Sequence, residues 1–434
     1  MPSVPDLAEA LRGLADGSLT SVALVERALA RAAETEPRIH AFAWLDRARA
    51  LGLARDSDAR RAGGSARSAL DGVPIGVKDI FDTAGIPTEN GSALYRGRVP
   101  QRSATAVVAL EAAGAVVLGK TVTTELAFMT PGATRNPWNT AHTPGGSSMG
   151  SAAAVAAGVL CAAVGSQTNG SVIRPAAFCG VVGFKPSVFR LPKDGMLEFS
   201  RTLDQVGVFA RSVEGAALLA ATIAGQPADR WWRPAGGAPR FVALRTSEWE
   251  HATDPARDRF QADVDRLAAA GGPVEWPQPP KGLDDAPRVL RTVMLYEAAQ
   301  VLMATVEAHP EEVSAYAREA LADGARMSER AYREALAERR EIAAAFGAWA
   351  ARYDAVLTPP AIGEAPGPET TGDPRFCSRW SLVGAPAITI PTGLGPNGLP
   401  LGLQLVGAPD DDARVLAAAA WAEAHLTSPG APPI

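Results

Sequence analysis

Residues 145–186 read GGSSMGSAAAVAAGVLCAAVGSQTNGSVIRPAAFCGVVGFKP. Two glycine- and serine-rich loops, Gly145–Ser151 and Gly165–Ser171, stand on either side of a run of alanine and valine. The small-residue run is expected to form a buried helix over 149–160. A short strand over 161–165, a loop over 166–175 and more buried backbone in 180–186 should follow. Glycine runs let successive backbone N–H groups converge into a concavity that holds an anionic oxygen. Beside a serine, such a concavity is what acyl transfer requires. The stretch just before, TPGATRNPWNTAHTPGGSSMGS (130–151), has no periodicity, and irregular segments of that length in compact domains are commonly functional.

The flanks alternate strand and helix. DGVPIGVKDI (71–80) reads as a turn into a short apolar strand over 74–77, residues 104–113 as a helix, and AGAVVLGKT (113–121) as a turn and a buried strand. Residues 5–61 read as helical, with Leu7, Leu11 and Leu14 at helical spacing and Ser21 as a cap; 62–70 is a small-residue loop. Residues 202–223 read as a turn and a helix. Proline-rich joints break up 224–290, with a strand expected in VALRTSEWE (242–250) and a helix over 254–272. Helices follow over 289–308 and 312–351, the latter broken near Gly324. DAVLTPPA, APAITIPTG and LPLGLQLVG return to strand character before a helix at 410–425. Strand-forming segments on both sides of a helical middle imply one sheet drawn from both ends of the chain. The expected fold is an α/β/α sandwich with a central mixed, twisted sheet covered by helices.

Of the 434 residues, 47% are hydrophobic and 21% charged, a folded composition. Basic and acidic side chains number 42 and 47, for a net charge of −5, so no nucleic-acid surface is expected. Lysines are few against the arginine background: Lys78, Lys120, Lys185, Lys193 and Lys281. Three cysteines without a CxxC pair and five histidines without HxxH spacing point to neither a disulfide framework nor a metal cluster. The N-terminal MPSVPDLAEALRGL lacks the order of a signal peptide, and the longest apolar stretch, 152–165, is shorter than the roughly 20 residues a spanning helix needs. A cytoplasmic protein with no membrane contact, no cofactor and no metal is expected.

Gly146–Gly150 fits GxSxG, the nucleophile-elbow pattern, but AHTPG before it is not a strand, and His251, His309 and His425 lie in no motif-like setting. A lysine can activate a serine if burial lowers its pKa. Lys78 is the best candidate, at the end of the apolar run PIGV, with a salt-bridged strand-end lysine as the structural alternative.

Together these segments resemble the amidase signature family. The match runs strongly over about 70–426: the 145–186 segment, DGVPIGVKDIFDTAGIPTENGS (71–92), AGAVVLGKTVTTELAF (113–128), RTLDQVGVFARSVEGAALL (201–219), and VGAPAITIPTG with LPLGLQLVGAPDDDARVL (383–416). The resemblance implies a single domain over 1–434. Its N-terminal helical segment, 1–65, would pack onto it, and a diverged, mainly helical region, 225–345, would shape the substrate pocket. It implies a Ser–cisSer–Lys triad of nucleophile Ser171, bridging Ser147 after a cis Gly146–Ser147 bond, and base Lys78. Backbone N–H groups of Thr168, Asn169, Gly170 and Ser171 would form the oxyanion hole. Arg174 and Asp204 are expected to support the loops, with binding of a substrate carboxylate as the lesser reading of Arg174. Three positions depart from the family pattern. Gln167 replaces an aspartate, Asn169 replaces a glycine in the nest, and Met149 replaces a glycine in the first serine loop. Asn tolerates a positive φ, so the nest can survive, and its side chain either reaches substrate or fills space. Met149 and His142 are the candidate substrate contacts, with packed positions favoured for both.

The implied activity is hydrolysis of a carbon–nitrogen amide-type bond in a small molecule through an acyl-enzyme. Carbamates and ureas are alternatives within the family. A different reading is the glutaminase subunit of an amidotransferase, which alone requires an ammonia-accepting protein partner. A scaffold without activity is the weakest reading, because all three triad residues are present. The expected partner is a small amide, with a homodimer left open.

Overall fold

The computed structural model describes residues 3–233 and 236–434. Asp6 opens α1 (Leu7–Asp16) with a capping box, its carboxylate accepting from Ala8 N while Glu9 accepts from Asp6 N. Thr20 caps α2 (Ser21–Ile39). A four-residue strand, β1 (Phe42–Leu45), then precedes α3 (Arg47–Ala62). The helical expectation for 5–61 is corrected here. FAWL is too short to show a period, and it is a strand because it pairs antiparallel with a segment far along the chain.

The next stretch follows the expected rhythm. It comprises β2 (Pro74–Lys78), α4 (Thr105–Ala112), β3 (Val116–Thr121), α5 (Met149–Ala156), β4 (Ala162–Gln167), α6 (Ile173–Cys179) and β5 (Val182–Lys185). QVGVFA forms β6 (Gln205–Ala210), a strand where a turn was expected, before α7 (Val213–Ile223). The middle holds β7 (Phe241–Ala243), α8 (Asp254–Ala269), the two-residue β8 (Val274–Glu275) and three helices, α9 (Ala286–Ala308), α10 (Ala315–Ala325) and α11 (Glu329–Ala350). The chain closes with β9 (Ala355–Thr358), α12 (Arg375–Leu382), β10 (Ala387–Leu394), β11 (Pro400–Val406) and α13 (Asp412–His425).

Among the described residues, eleven strands form one mixed sheet, ordered β1-β3-β2-β4-β6-β5-β10-β11-β9-β7-β8. Parallel pairs join β2 to β3 and β4, and antiparallel pairs run from β4 through β6 and β5 to β10, β11 and β9. The two ends of the sequence meet where β5 pairs with β10, Phe184 opposite Ile388. Every residue of β2, β3, β4, β5, β6 and β11 is buried. Successive side chains point to opposite faces, so these strands are covered on both sides, which is why those other than β6 read as apolar runs.

The apolar side chains gather in two main bodies. One draws on α1–α8 and α13, and the other on α9–α12. Residues 283–308 have the length and apolarity of a membrane span. Here their buried face, Val289, Leu290, Val293 and Leu302 among it, belongs to the second body.

Candidate active site

Lys78 ends β2, an interior strand, and its side chain is fully buried. Its Nζ is hydrogen-bonded to Ser147 Oγ at 2.7 Å and to Ser166 Oγ at 2.9 Å. Burial pushes the ammonium down to about 7, with the Asp204 carboxylate a smaller, opposing influence. Asp79 does not face Lys78: it accepts from Glu89 N at 3.1 Å and lies 3.5 Å from Lys120 Nζ. Two other lysines are as deeply buried, but their partners differ. Lys185 donates to three carbonyl oxygens, of Pro186, Gln205 and Ala385, which accept hydrogens and supply none. Lys120 donates to Phe81 O and Thr88 Oγ1 beside Asp79. Lys78 sits between hydroxyls alone, and a hydroxyl can give its proton to a neutral amine.

The Gly146–Ser147 peptide is cis. Gly145 before it has φ +82°, and a Cβ there would stand 2.7 Å from Pro175 Cα, so only glycine fits. The loop is clamped to the sheet: Ser148 Oγ donates to Ser166 O and Ser151 Oγ to Val164 O. Arg174, buried on α6, donates from Nη2 to Gly146 O at 2.8 Å and from Nε to Thr371 O at 2.7 Å. It thereby ties the loop carrying Ser147 to the helix that follows Ser171.

Thr168, Asn169, Gly170 and Ser171 line a cavity of about 280 Å³. A Cβ on Gly170 would come within 2.9 Å of Arg174 Nη1 and 3.1 Å of Pro374 Cβ. Thr168 Oγ1 donates to Asp204 Oδ1 at 2.5 Å, while Asp204 Oδ2 accepts from Phe199 N and Ser200 N. Burial raises the Asp204 carboxyl to about 6.

Both departures in the second loop have partners. Gln167 Oε1 accepts from Val172 N and Ile173 N at 2.8 and 3.0 Å, as a carboxylate would. Its Nε2 donates to Ser381 Oγ at 3.0 Å, which no carboxylate could do, and Ser381 Oγ donates to Asn169 O at 2.6 Å. Asn169 stands outside the left-handed region, so its tolerance of positive φ goes unused. Its side-chain oxygen accepts from Ser378 Oγ at 2.7 Å. Ser378 and Ser381, one turn apart on α12, thus hold both altered residues.

The other cavity walls are mainly apolar, with the guanidinium groups of Arg174 and of Arg291 on α9 the charged groups among them. Phe128, Met129 and Phe199 come from loops, and Leu290, Met294, Leu295, Tyr316 and Ala320 from α9 and α10. No carboxylate is among the described residues that line it. His142 and Met149, the two candidate substrate contacts, are not among the lining residues. His142 Nδ1 pairs with Ala365 O at 2.7 Å, and Met149 is buried with its sulfur accepting from Gly132 N. Closeness in sequence to the serine loop did not carry over into the cavity, because both side chains turn into neighbouring loops. Among the described residues no three His, Cys, Asp or Glu side chains come together as metal ligands would.

Sequence reasoning missed Ser166, Ser378 and Ser381. The signal for Ser166 lies in the pairing of β2 with β4, Val77 opposite Val164, which brings the residues just beyond, Lys78 and Ser166, close together. Ser166→Ala removes one acceptor from a buried ammonium and so favours the neutral amine. The acid limb of the activity profile should therefore move to lower pH, with kcat lowered less than by any change at Lys78. A pH profile of kcat/KM for the variant checks the direction.

The model of the family described as Amidase matches residues 23–416. The chain is 36% identical to a glutamyl-tRNA(Gln) amidotransferase subunit of Anaeromyxobacter sp. (strain K), over 98% of this chain and 97% of that protein. Among solved structures it is similar to an amidase at 34% identity and a TM-score of 0.90, covering 97% of this chain and 100% of that one. It is also similar to the native peptide amidase of Stenotrophomonas maltophilia, at 29% identity and a TM-score of 0.84, with 98% of each chain covered.

Proposed function

The chain belongs to the amidase family, and from that premise we propose that it hydrolyses the carbon–nitrogen bond of a small amide through an acyl-enzyme on Ser171. The observation that carries this reading is the buried Lys78 amine, pushed down to about 7 and held between two hydroxyls, one of them Ser147. The neutral amine takes the Ser147 proton as Ser147 takes that of Ser171. Ser171 Oγ bonds to the carbonyl carbon, and the carbonyl electron pair moves onto oxygen among the backbone N–H groups of residues 168–171. Collapse breaks the carbon–nitrogen bond, and the proton held on Lys78 returns through Ser147 to the leaving nitrogen. Water then attacks the ester, losing its proton to the same relay, and the acid departs as Ser171 is restored.

In this reading Asp204, Gln167 and Arg174 keep the loops in place, and the region 225–345 shapes the pocket through α9 and α10. Carbamates and ureas would use the same relay. The similarity to a component of an amidotransferase favours a second reading, with glutamine as substrate and a partner that takes the ammonia. The lining of the cavity supports the first. Free glutamine carries a carboxylate that Arg291 on the wall could meet, but its ammonium would stand beside Arg174 and Arg291 with no lining carboxylate among the described residues to pair with it. Neutral apolar amides should therefore exceed glutamine in kcat/KM by about 100-fold or more. Measuring both on the same preparation decides, and glutamine hydrolysed the faster would establish the second reading.

A further inference from the structure

Three aromatic rings line the cavity in series. Phe199 and Phe128 stack at 5.0 Å and 20°, and Phe128 meets Tyr316 at 5.6 Å and 30°. Phe199 lies near the nest: its N–H donates to the same Asp204 carboxylate that receives Thr168 Oγ1. Tyr316, 55% exposed, stands at the mouth. The series therefore runs from the reacting end of the cavity to solvent.

The middle ring is held in place by its backbone. Leu126 and Ala127, just before Phe128, both lie in the left-handed region with φ +52° and +56°. Neither is glycine, and such conformations persist only where the surroundings enforce them. Leu126 N donates to Asn90 O, and Thr124 Oγ1 donates to Phe128 O at 2.9 Å. Glu125 in the same turn accepts from Ser314 N, the cap of α10, which carries Tyr316. Ring and helix are thus positioned together. Leu290 and Met294 also line the cavity, and methionine sulfur makes favourable contacts with aromatic groups.

We propose that the cavity is an aryl subsite, and that the substrate is an amide bearing an uncharged or anionic aromatic ring near the scissile carbonyl. This rests on the amidase reading of the same site. The ring could belong to the acyl group or to the amine, and paired ligands separate the two. Phenylacetamide is compared with cyclohexylacetamide, and N-benzylacetamide with N-(cyclohexylmethyl)acetamide. Each pair matches in size and apolarity and differs in aromaticity.

Affinities are read by calorimetry on Ser171→Ala protein, which removes turnover from the measurement. Turnover of the same four amides by the unaltered protein is read separately. In at least one pair the aromatic member should bind about five- to tenfold more tightly. Adding Tyr316→Leu, a change at an exposed helix position, should bring that ratio close to one, as should Phe128→Leu. Equal affinities within both pairs, or an aromatic preference that survives both ring variants, would overturn the subsite. Aromatic preference in binding with no turnover of any of the four would leave the subsite standing and defeat the hydrolase reading instead.

Discussion

Ser171→Ala is expected to cut amide turnover by about 10⁴- to 10⁶-fold while leaving the fold unchanged. Ser171 lines the cavity beside the three residues whose backbone would receive the oxyanion, and its side chain is only partly buried. Removing one partly exposed hydroxyl costs little stability, about 0.5 kcal/mol or less, so the melting temperature should hardly move. A fluorophosphonate or other acylating probe should add its mass to Ser171 in the unaltered protein and fail to label the variant. The neighbouring hydroxyls make the test sharp. Ser147 is bonded to Lys78 Nζ at 2.7 Å, and Ser148 is buried and donates to Ser166 O. An adduct on either of these, with Ser171 unmodified, would overturn the assignment and move the nucleophile into the first loop.

What could be read from the chain followed from which interactions are local. Strands β2, β3 and β4 are covered on both faces, so they appear in the sequence as uninterrupted apolar runs bounded by turns. The loops carrying Ser147 and Ser171 could be seen because two glycine- and serine-rich loops flank one small-residue helix and the whole segment resembles the amidase signature, whereas either loop alone would pass for an ordinary turn. By contrast, β1 and β6 escaped notice. Phe42–Leu45 has too few residues to show a period, and it owes its strand state to Thr121, Lys120 and Gly119 far along the chain. The two serines of α12 were invisible for the same reason. Nothing in RFCSRWSL announces that Ser378 and Ser381 will meet Asn169 and Gln167, more than 200 residues earlier. The departures from the family pattern were legible, but what compensates for them is tertiary. The cavity wall is tertiary too, since α9 and α10 show apolar residues without showing which of them face the nest.

Lys78 carries the second large expectation, and its sign follows from burial. A base must be neutral to accept a proton. With the amine at about 7, activity should rise from acid pH through about 7 and level off above it. About a tenth of the sites would be competent one pH unit below the midpoint, and about nine tenths one unit above. The Asp204 carboxylate is the charge that pulls Lys78 upward, so Asp204→Asn should shift the limb to lower pH. Lys78→Ala should nearly abolish amide hydrolysis. Lys78→Arg should not restore it, because a guanidinium cannot become neutral. Ester hydrolysis should survive better, since an alkoxide needs less help to leave than an amine. Wild-type amide turnover and an unshifted profile in Lys78→Ala would defeat the relay. Stability offers an independent check with its own sign. Between about 7 and the ordinary lysine value of 10.5 the unfolded chain holds a proton at this position that the folded chain has given up. Stability of the unaltered protein should therefore climb with pH across that window, and the burial cost should be largest below it. Lys78→Met lacks the titrating group. Its melting temperature relative to the unaltered protein should be most favourable near pH 6 and should decline toward pH 10. A difference that stayed flat over that range would mean that Lys78 remains charged in the folded protein. The amine would then be unable to act as the base, whatever the variants did to turnover. A lysine kept neutral at a cost in stability, next to a serine hydroxyl, is accounted for by the chemistry it enables; a charged one would have to be explained by packing alone.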